Sequence, residues 1–184
     1  MSNITKRAMA QSLKKMLLLK DLDKITITDI TNDCGINRQT FYYHFKDIYD
    51  LLEWIFANEV VEKIEKETTI ETWQENFKYV LDYMLKNKKF IIKTYNSLSR
   101  KTLLDFLFNQ YNTIFIEIVN DLSKNYNITK ENKIFIANFY KYGFAGIIEN
   151  WIITEMKESP ESIIKKLNVM ISGSFEEAVK KMSN

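Results

Sequence analysis

The sequence predicts an all-α protein of about nine helices. One proline and four glycines in 184 residues leave long uninterrupted segments, which is typical of helices and supplies too few turns for an all-β fold. Apolar side chains recur every three or four residues through most of the chain, the period of an amphipathic helix. We expect a three-helix head in residues 1–50, then a long connecting helix that opens a helical body in residues 51–184.

The first predicted helix is apolar on one side and basic. Its first 20 residues contain five cations and no carboxylate, although aspartates further along reduce the net charge of residues 1–50 to 8 minus 6, or +2. A charged helix face is usually only solvated, but next to a DNA-binding motif it is expected to lie near phosphates. The five cations are Lys6, Arg7, Lys14, Lys15 and Lys20.

Residues 25–52 read as two short helices joined by a tight turn. Thr26 and Asn37 are residue types that cap helix N-termini, and each precedes a helical stretch. Gly35 lies between the two stretches, where so short a turn requires a positive φ. The two helices are therefore expected to cross steeply, as in a helix-turn-helix.

The second of these helices has an apolar side and an unusually polar surface. Phe41 and Phe45 are four residues apart, so both rings can anchor the helix inward. Arginine pairs with guanine, glutamine with adenine, and a threonine methyl or an aromatic ring can meet a thymine methyl. We predict that the remaining surface contacts a DNA groove through Arg38, Gln39, Thr40, Tyr42, Tyr43 and His44.

The same segment combines a spaced set of apolar, small and polar residues, which are Thr26, Ile27, Asp29, Ile30, Gly35, Ile36, Thr40, Phe41, Tyr42, His44, Phe45, Leu51 and Leu52. In this pattern it resembles the DNA-binding segment of the TetR family of bacterial transcriptional regulators. The resemblance implies a homodimer that binds a palindromic operator in double-stranded DNA, with a C-terminal domain for effector binding and dimerisation. In the family a lysine near the start of the next helix holds a phosphate; Ile48 stands there, and Lys46 is the nearby cation.

The DNA contacts divide by chemistry. Base readout is predicted for Arg38, Gln39 and Tyr43. His44 is predicted to contact the DNA backbone, with a structural role as a nearly equal alternative. Sequence-independent contacts are predicted for the remaining polar positions of the head, which are Thr26, Thr28, Asn37, Tyr42 and Lys46.

The connecting helix is predicted to begin after Asp47, a capping residue, and to run to about Lys66. Such a helix would be roughly 30 Å long at 1.5 Å per residue. We expect it to link the head to the body.

The body is rich in aromatic side chains on consecutive helices. One hypothesis is a shared lining for a small apolar or aromatic effector; the other is a solid core with a protein co-regulator docked on its surface. Two segments of the chain are similar to regulators of dihydroxyacetone kinase operons, some of which are activators with a protein partner, and this similarity implies the second. The residues themselves leave both hypotheses open. The proposed lining is Trp73, Phe77, Tyr83, Phe90, Tyr95, Phe106 and Tyr111.

The last two predicted helices are candidates for a dimer interface. The segment from Lys130 to Lys157 is apolar on nearly every face and contains two glycines, which suggests close approach by another helix. Ser159 and Pro160 then open the final helix. The alternative is an internal core of a monomer. The predicted interface residues are Gly143, Gly146, Ile147, Trp151, Met170 and Gly173.

Several functional classes find no support. One histidine and one cysteine form no metal-binding set and no disulfide, and no catalytic constellation or cofactor motif is present. We therefore expect neither an enzyme nor a cofactor. A helical adaptor without DNA binding remains an alternative. No apolar run is long enough to span a membrane, so a cytoplasmic location is expected.

Overall fold

The computed structural model describes residues 2–60, 69–97 and 100–183, and within them it contains helices and no strand. The predicted all-α fold is confirmed. No helix in these ranges is long and apolar enough to cross a membrane. The helices are α1 (Ser2–Leu19), α2 (Ile27–Cys34), α3 (Arg38–His44), α4 (Ile48–Glu59), α5 (Trp73–Lys86), α6 (Lys88–Tyr95), α7 (Arg100–Leu122), α8 (Lys130–Ile153), α9 (Pro160–Ile171) and α10 (Ser174–Lys181), with a 3-10 helix at Leu22–Lys24.

The chain forms two compact units. Unit 1 comprises Met1–Lys63 and Asn87–Phe106, and unit 2 comprises Ile64–Lys86 and Leu107–Asn184. Unit 1 extends beyond the head because α4 and α6 both pack against α1. The functional division at residue 50 remains a prediction.

Unit 1 is built around α1, which packs against α2, α4 and α6. The apolar side of α1 provides the fully buried Met9, Leu13 and Leu17, as its helical spacing predicts. The other fully or almost fully buried apolar side chains of this core are Ile30, Phe41, Leu51, Leu52, Ile55, Phe56 and Ile91.

The helix after the motif begins as predicted, because the Asp47 side chain accepts a hydrogen bond from the Asp50 amide at 2.9 Å. It ends at Glu59. The expected continuation to Lys66 falls on residues 61–68, which lie outside the described residues.

In unit 2, α5 packs against α9, and α10 packs against α8 and α9. The core has Phe144 of α8 at its centre. Its ring centroid lies 4.8 Å from that of Phe115 and 5.0 Å from that of Phe77. Trp73 approaches the same ring at 5.6 Å.

The C-terminal helices differ from the prediction at two points. Helix α8 ends at Ile153, before the expected Lys157, because Glu155 and Met156 adopt positive φ angles of 57° and 50°. Ser159 caps α9 and Pro160 opens it, as predicted. The single final helix is divided at Gly173, whose φ of 76° separates α9 from α10.

Candidate nucleic-acid interface

Helix α2, which precedes the turn into α3, is fixed by hydrogen bonds at both of its ends. Thr26 Oγ1 accepts from the Asp29 amide at 3.1 Å, and Asp29 Oδ2 accepts from the Thr26 amide at 2.8 Å, which forms a capping box. Gly35 follows with φ of 66°. The Ile36 amide then donates to the Thr31 carbonyl at 3.0 Å, so α2 ends in hydrogen-bonded αL geometry. The predicted cap and turn are confirmed.

The Asp29 carboxylate accepts from a second donor, Lys20 Nζ at 2.8 Å. Hydrogen bonding from Lys20, followed by that from the Thr26 amide, lowers the pKa of Asp29 to about 2. The capping box is therefore charged at neutral pH.

Helix α3 is capped by Asn37, as predicted. Its Oδ1 accepts from the Thr40 amide at 2.8 Å and from Thr40 Oγ1 at 3.0 Å. Phe41 and Phe45 are both buried, which confirms that they anchor the helix inward. The Thr40 hydroxyl donates its proton locally, which leaves the methyl group and the acceptor lone pairs of the oxygen for contact with a base.

The outer face of α3 presents the predicted contact residues to solvent. Arg38 and Gln39 are exposed, and Tyr42 and Tyr43 are 51% and 82% exposed. Large aromatic side chains in water are informative when they cluster with polar groups, because such surfaces mark interaction sites. Thr28, in α2, and Lys46, after α3, are exposed as well.

His44 lies at the edge of this face and is half-buried. Its ring meets that of Tyr43 edge-on, with centroids 4.9 Å apart. Burial lowers the pKa of His44, and the nearby Lys6 lowers it further. Lys6 Nζ is 5.6 Å from the centroid of the Phe45 ring, so the N-terminal end of α1 lies beside α3. His44 is thus a neutral hydrogen-bonding group at pH 7.

Three of the five cations among residues 1–20 are paired within unit 1. Lys14 Nζ lies 2.6 Å from Glu59 Oε2, and Lys15 Nζ lies 2.9 Å from Asp33 Oδ1. Lys20 contacts Asp29, as described above. These ion pairs partly offset the charge of the segment, and its place near phosphates stays a prediction. Lys6 and Arg7 lie near the start of α1.

The residues of the predicted effector lining are divided between the two units, and a lining shared by all seven stays a prediction. Phe90 and Phe106 stack on Phe56 of unit 1, with centroids 5.6 and 5.2 Å apart. Tyr95, in the same unit, lies under the Arg100 guanidinium at 4.8 Å. Trp73, Phe77 and Tyr111 belong to the Phe144 cluster in unit 2 and line a small cavity there. Tyr83 is half-buried and is not part of the lining of that cavity.

The cavity at this cluster has a volume of about 30 Å³, which is room for about two water molecules. The buried Tyr111 hydroxyl has no hydrogen-bond partner among the described residues. Burial raises the pKa of Tyr111 far above its ordinary value. The described residues thus provide no ready-made site for a planar ligand here. The lining is Trp73, Asn76, Phe77, Val80, Tyr111, Ile114, Phe115 and Phe144.

The predicted dimer interface residues separate into a surface set and a core set. Gly143, Gly146, Ile147 and Met170 are exposed. Trp151 is buried, and its Nε1 donates to the Glu158 carbonyl at 2.8 Å. Gly173 is the turn before α10. The prediction is therefore corrected for Trp151, whose side chain is buried inside the protomer, and it stays a prediction for the exposed Gly173.

The surface set belongs to a larger group of exposed apolar residues on α8 and α9. Side chains spaced by three or four residues on α8 share one side of the helix. No atom of the described protomer lies within 4 Å of a Cβ built at Gly143 or Gly146, so neither glycine serves helix packing inside it. We call this surface the α8–α9 face; it comprises Phe135, Phe139, Tyr142, Gly143, Gly146, Ile147, Ile153, Val169 and Met170.

A protein-family model described as transcriptional regulator C-terminal region, of the TetR type, matches residues 71–173. That is more than half of the 184 residues. The chain belongs to the TetR family of transcriptional regulators. It is accordingly a regulator and not an enzyme. Among the described residues, no three His, Cys, Asp or Glu side chains are grouped for metal binding.

This TetR-family chain is similar to a curated activator and to solved structures. It is 27% identical over 154 residues to the HTH-type dhaKLM operon transcriptional activator DhaS of Lactococcus lactis subsp. lactis (strain IL1403), covering 83% of this chain and 81% of that protein. A structure of the dihydroxyacetone kinase operon activator DhaS has a TM-score of 0.70, with 24% identity, over 98% of this chain and 99% of its own. NalD, described as the secondary repressor of the MexAB-OprM efflux pump in Pseudomonas aeruginosa, has a TM-score of 0.57 at 12% identity, over 91% of this chain and 93% of its own. The same fold therefore occurs in an activator and in a repressor.

Sequence reasoning missed two features of this TetR-family chain. Phe144, the centre of the aromatic cluster, was treated only as part of an apolar helix, since spacing shows a buried face but not its neighbours. The ion pair between Lys93 of α6 and Asp21, at 2.7 Å, joins residues 72 positions apart. No local pattern indicates such a contact.

Proposed function

We propose that the chain is a sequence-specific DNA-binding regulator in which α3 enters the major groove. The observation that carries this proposal is the two-sided character of α3. Phe41 and Phe45 fix one side in the core, while the other side presents Arg38, Gln39, Tyr42 and Tyr43 to solvent. A helix held in this way can place side chains against base edges without losing its support.

The proposed roles follow from hydrogen-bonding capacity. Arg38 and Gln39 pair with purine edges, and Tyr43 contacts a base or a thymine methyl. Exposed Thr28, Lys46 and the Tyr42 hydroxyl bind phosphates, which fixes the register of α3. Thr26, Asn37 and His44 approach the DNA backbone as the caps and flank of the motif.

We propose that two chains associate through the α8–α9 face. Phe139 is 69% exposed and Met170 is 74% exposed, and a helix surface that leaves several large apolar side chains in water is typical of a protein interface. A two-fold dimer would present two heads to a palindromic operator, with half-sites one helical turn or a multiple apart. The two exposed glycines would let the partner helix approach closely.

For control, we propose a protein co-regulator bound to the body. The small cavity supports this over a small-molecule effector, because a planar ligand would first have to displace the aromatic side chains around Phe144. The relative DhaS is named as an operon activator, and we extend activation to this chain. Thermal melting with indole, phenol and naphthol is expected to show no shift. A saturable rise in Tm with any of them would favour the ligand hypothesis.

The experiment for DNA binding is selection of bound sequences, from random DNA and from DNA flanking the gene, by the purified full chain. A palindromic consensus is expected. Absence of enrichment would contradict the proposal and favour a helical adaptor without DNA binding. Since its target is chromosomal DNA, we place the protein in the cytoplasm.

A further inference from the structure

Arg38 and Tyr42 contact each other on the exposed face of α3. Arg38 Nη2 donates to Tyr42 Oη at 3.3 Å, and the guanidinium carbon lies 5.9 Å from the centroid of the Tyr42 ring. The residues are four apart, so they are neighbours on one helix face. We propose that Tyr42 is a positioning residue that holds the Arg38 guanidinium for base readout. This inference rests on the proposed DNA-binding function.

The Tyr42 ring is well placed to hold another side chain. It packs edge-to-face on Phe41, with centroids 5.8 Å apart and planes at 87°. Phe41 is fully buried, so the Tyr42 ring rests on the rigid core of unit 1. A free arginine side chain has many rotamers, and a contact that restricts them before binding reduces the entropy lost when the guanidinium reads a base.

The chemistry of both groups allows Tyr42 to bind Arg38 and DNA together. The hydroxyl uses a lone pair to accept from Arg38, and its own O–H remains available to donate to a phosphate oxygen. The guanidinium has five N–H donors; one goes to Tyr42, and bidentate pairing with guanine requires two of the others. A phosphate contact and a base contact are thereby linked through one tyrosine. Loss of a contact that reaches only a phosphate would weaken binding to all DNA sequences equally. The link to Arg38 makes loss of the Tyr42 hydroxyl change the sequence preference as well.

The experiment compares base preferences of the full-length wild type with Arg38→Ala, Tyr42→Phe and the double variant, each by sequencing DNA selected from a random pool. Arg38→Ala is expected to lower the preference at one base position about tenfold. Tyr42→Phe is expected to lower the preference at the same position about threefold, since the arginine remains but is less restricted. The double variant should match Arg38→Ala. Tyr49→Phe, which removes another exposed tyrosine hydroxyl in the head, serves as the matched control and should retain the wild-type preference.

The outcomes separate the inference from the function on which it rests. If Tyr42→Phe binds all sequences more weakly but keeps the wild-type preference at every position, Tyr42 is only a phosphate contact and the inference is overturned. Loss of preference at a position different from that of Arg38→Ala overturns it as well. If the wild type itself selects no sequence, the proposed function fails and the inference fails with it. Circular dichroism of Tyr42→Phe checks that α3 is still folded.

Discussion

At the scale of single residues, side-chain hydrogen bonds decide how the head is held. Asp29 accepts from the Thr26 amide and from Lys20, and Asn37 accepts twice from Thr40. The bonds from the Thr26 and Thr40 amides satisfy backbone donors that the helix ends leave without an intrahelical partner. The bond from Lys20 joins the start of α2 to the segment after α1. The geometry of the DNA-contacting surface therefore depends on a few polar atoms at the ends of α2 and α3.

The Asp29 carboxyl group is expected to titrate with a pKa of about 2 in the folded protein. Its ordinary value is near 3.9, so the folded pKa is depressed. The stabilisation is therefore present above about pH 4 and is lost as the pH falls toward 2. Carbon-detected NMR of the Asp29 carboxyl resonance measures this midpoint. Lys20→Gln should raise the midpoint, because Lys20 is the largest cause of the shift; a wild-type midpoint near 4 would mean that these hydrogen bonds do not form.

Replacing Tyr111 by phenylalanine should raise the free energy of unfolding by about 1 kcal/mol, because it removes a buried hydroxyl that lacks a partner. Tyr140 provides the matched control. Its hydroxyl lies 2.9 Å from Ser174 Oγ, so Tyr140→Phe should lower the unfolding free energy by about 1 kcal/mol. Urea denaturation measures both. A loss of stability in Tyr111→Phe would show that the hydroxyl has a partner, such as an ordered water.

At the scale of helices, the local signals in the sequence predict the ends of elements well. Thr26, Asn37, Asp47 and Ser159 all cap helices as expected. A cap is a contact within three residues, so the sequence contains both partners side by side. The early end of α8 was not predicted, because the residues that adopt positive φ there, Glu155 and Met156, are not glycines and so give no signal in the sequence.

Gly35→Ala should destabilise the head by about 1 kcal/mol, because φ of 66° places an alanine Cβ in the strained left-handed region. No described atom lies within 4 Å of the added Cβ, so the cost comes from the backbone alone. Gly35→Asn should be milder, since asparagine tolerates this conformation better. Thermal unfolding compares the two variants, and equal losses would show that backbone strain is not the cause.

Gly146→Leu should convert the proposed dimer to monomers without unfolding the protomer. A Cβ at Gly146 meets nothing within 4 Å in the described protomer, so any effect of the side chain must come from a partner subunit. Sedimentation velocity measures the association. Glu117→Leu, an exposed substitution on α7, is the control and should remain dimeric. If the Gly146→Leu protein remains a dimer, the interface lies on another part of the surface.

At the scale of the whole molecule, the side-chain contacts that the sequence failed to predict join elements that are distant along the chain. The aromatic residues of the body lie on helices, as predicted. Their division between Phe56 and Phe144 was not predictable, because spacing along a helix does not identify the facing helix. Burial of Trp151 was missed for the same reason. The recognition surface was accessible from sequence because α3 carries its two inward anchors and its outward polar face within eight residues.

The charge distribution over the molecule also limits the number of DNA phosphates that the protein is expected to contact. The net charge is only +2, and Lys14, Lys15 and Lys20 are paired with carboxylates. Phosphate contacts must therefore come from a few groups around α3 and the start of α1. We expect the affinity for DNA to fall with rising salt, with a slope that corresponds to several phosphates per dimer.

The most direct test of the central claim is the affinity of the wild-type protein for its selected operator and for a scrambled duplex of the same composition, measured by fluorescence anisotropy between roughly 50 and 200 mM salt. The account predicts that both affinities fall as salt rises and that the operator is bound at least about a thousandfold more tightly. Equal affinity for the two duplexes, or binding that does not change with salt, would contradict the claim that α3 reads a DNA sequence.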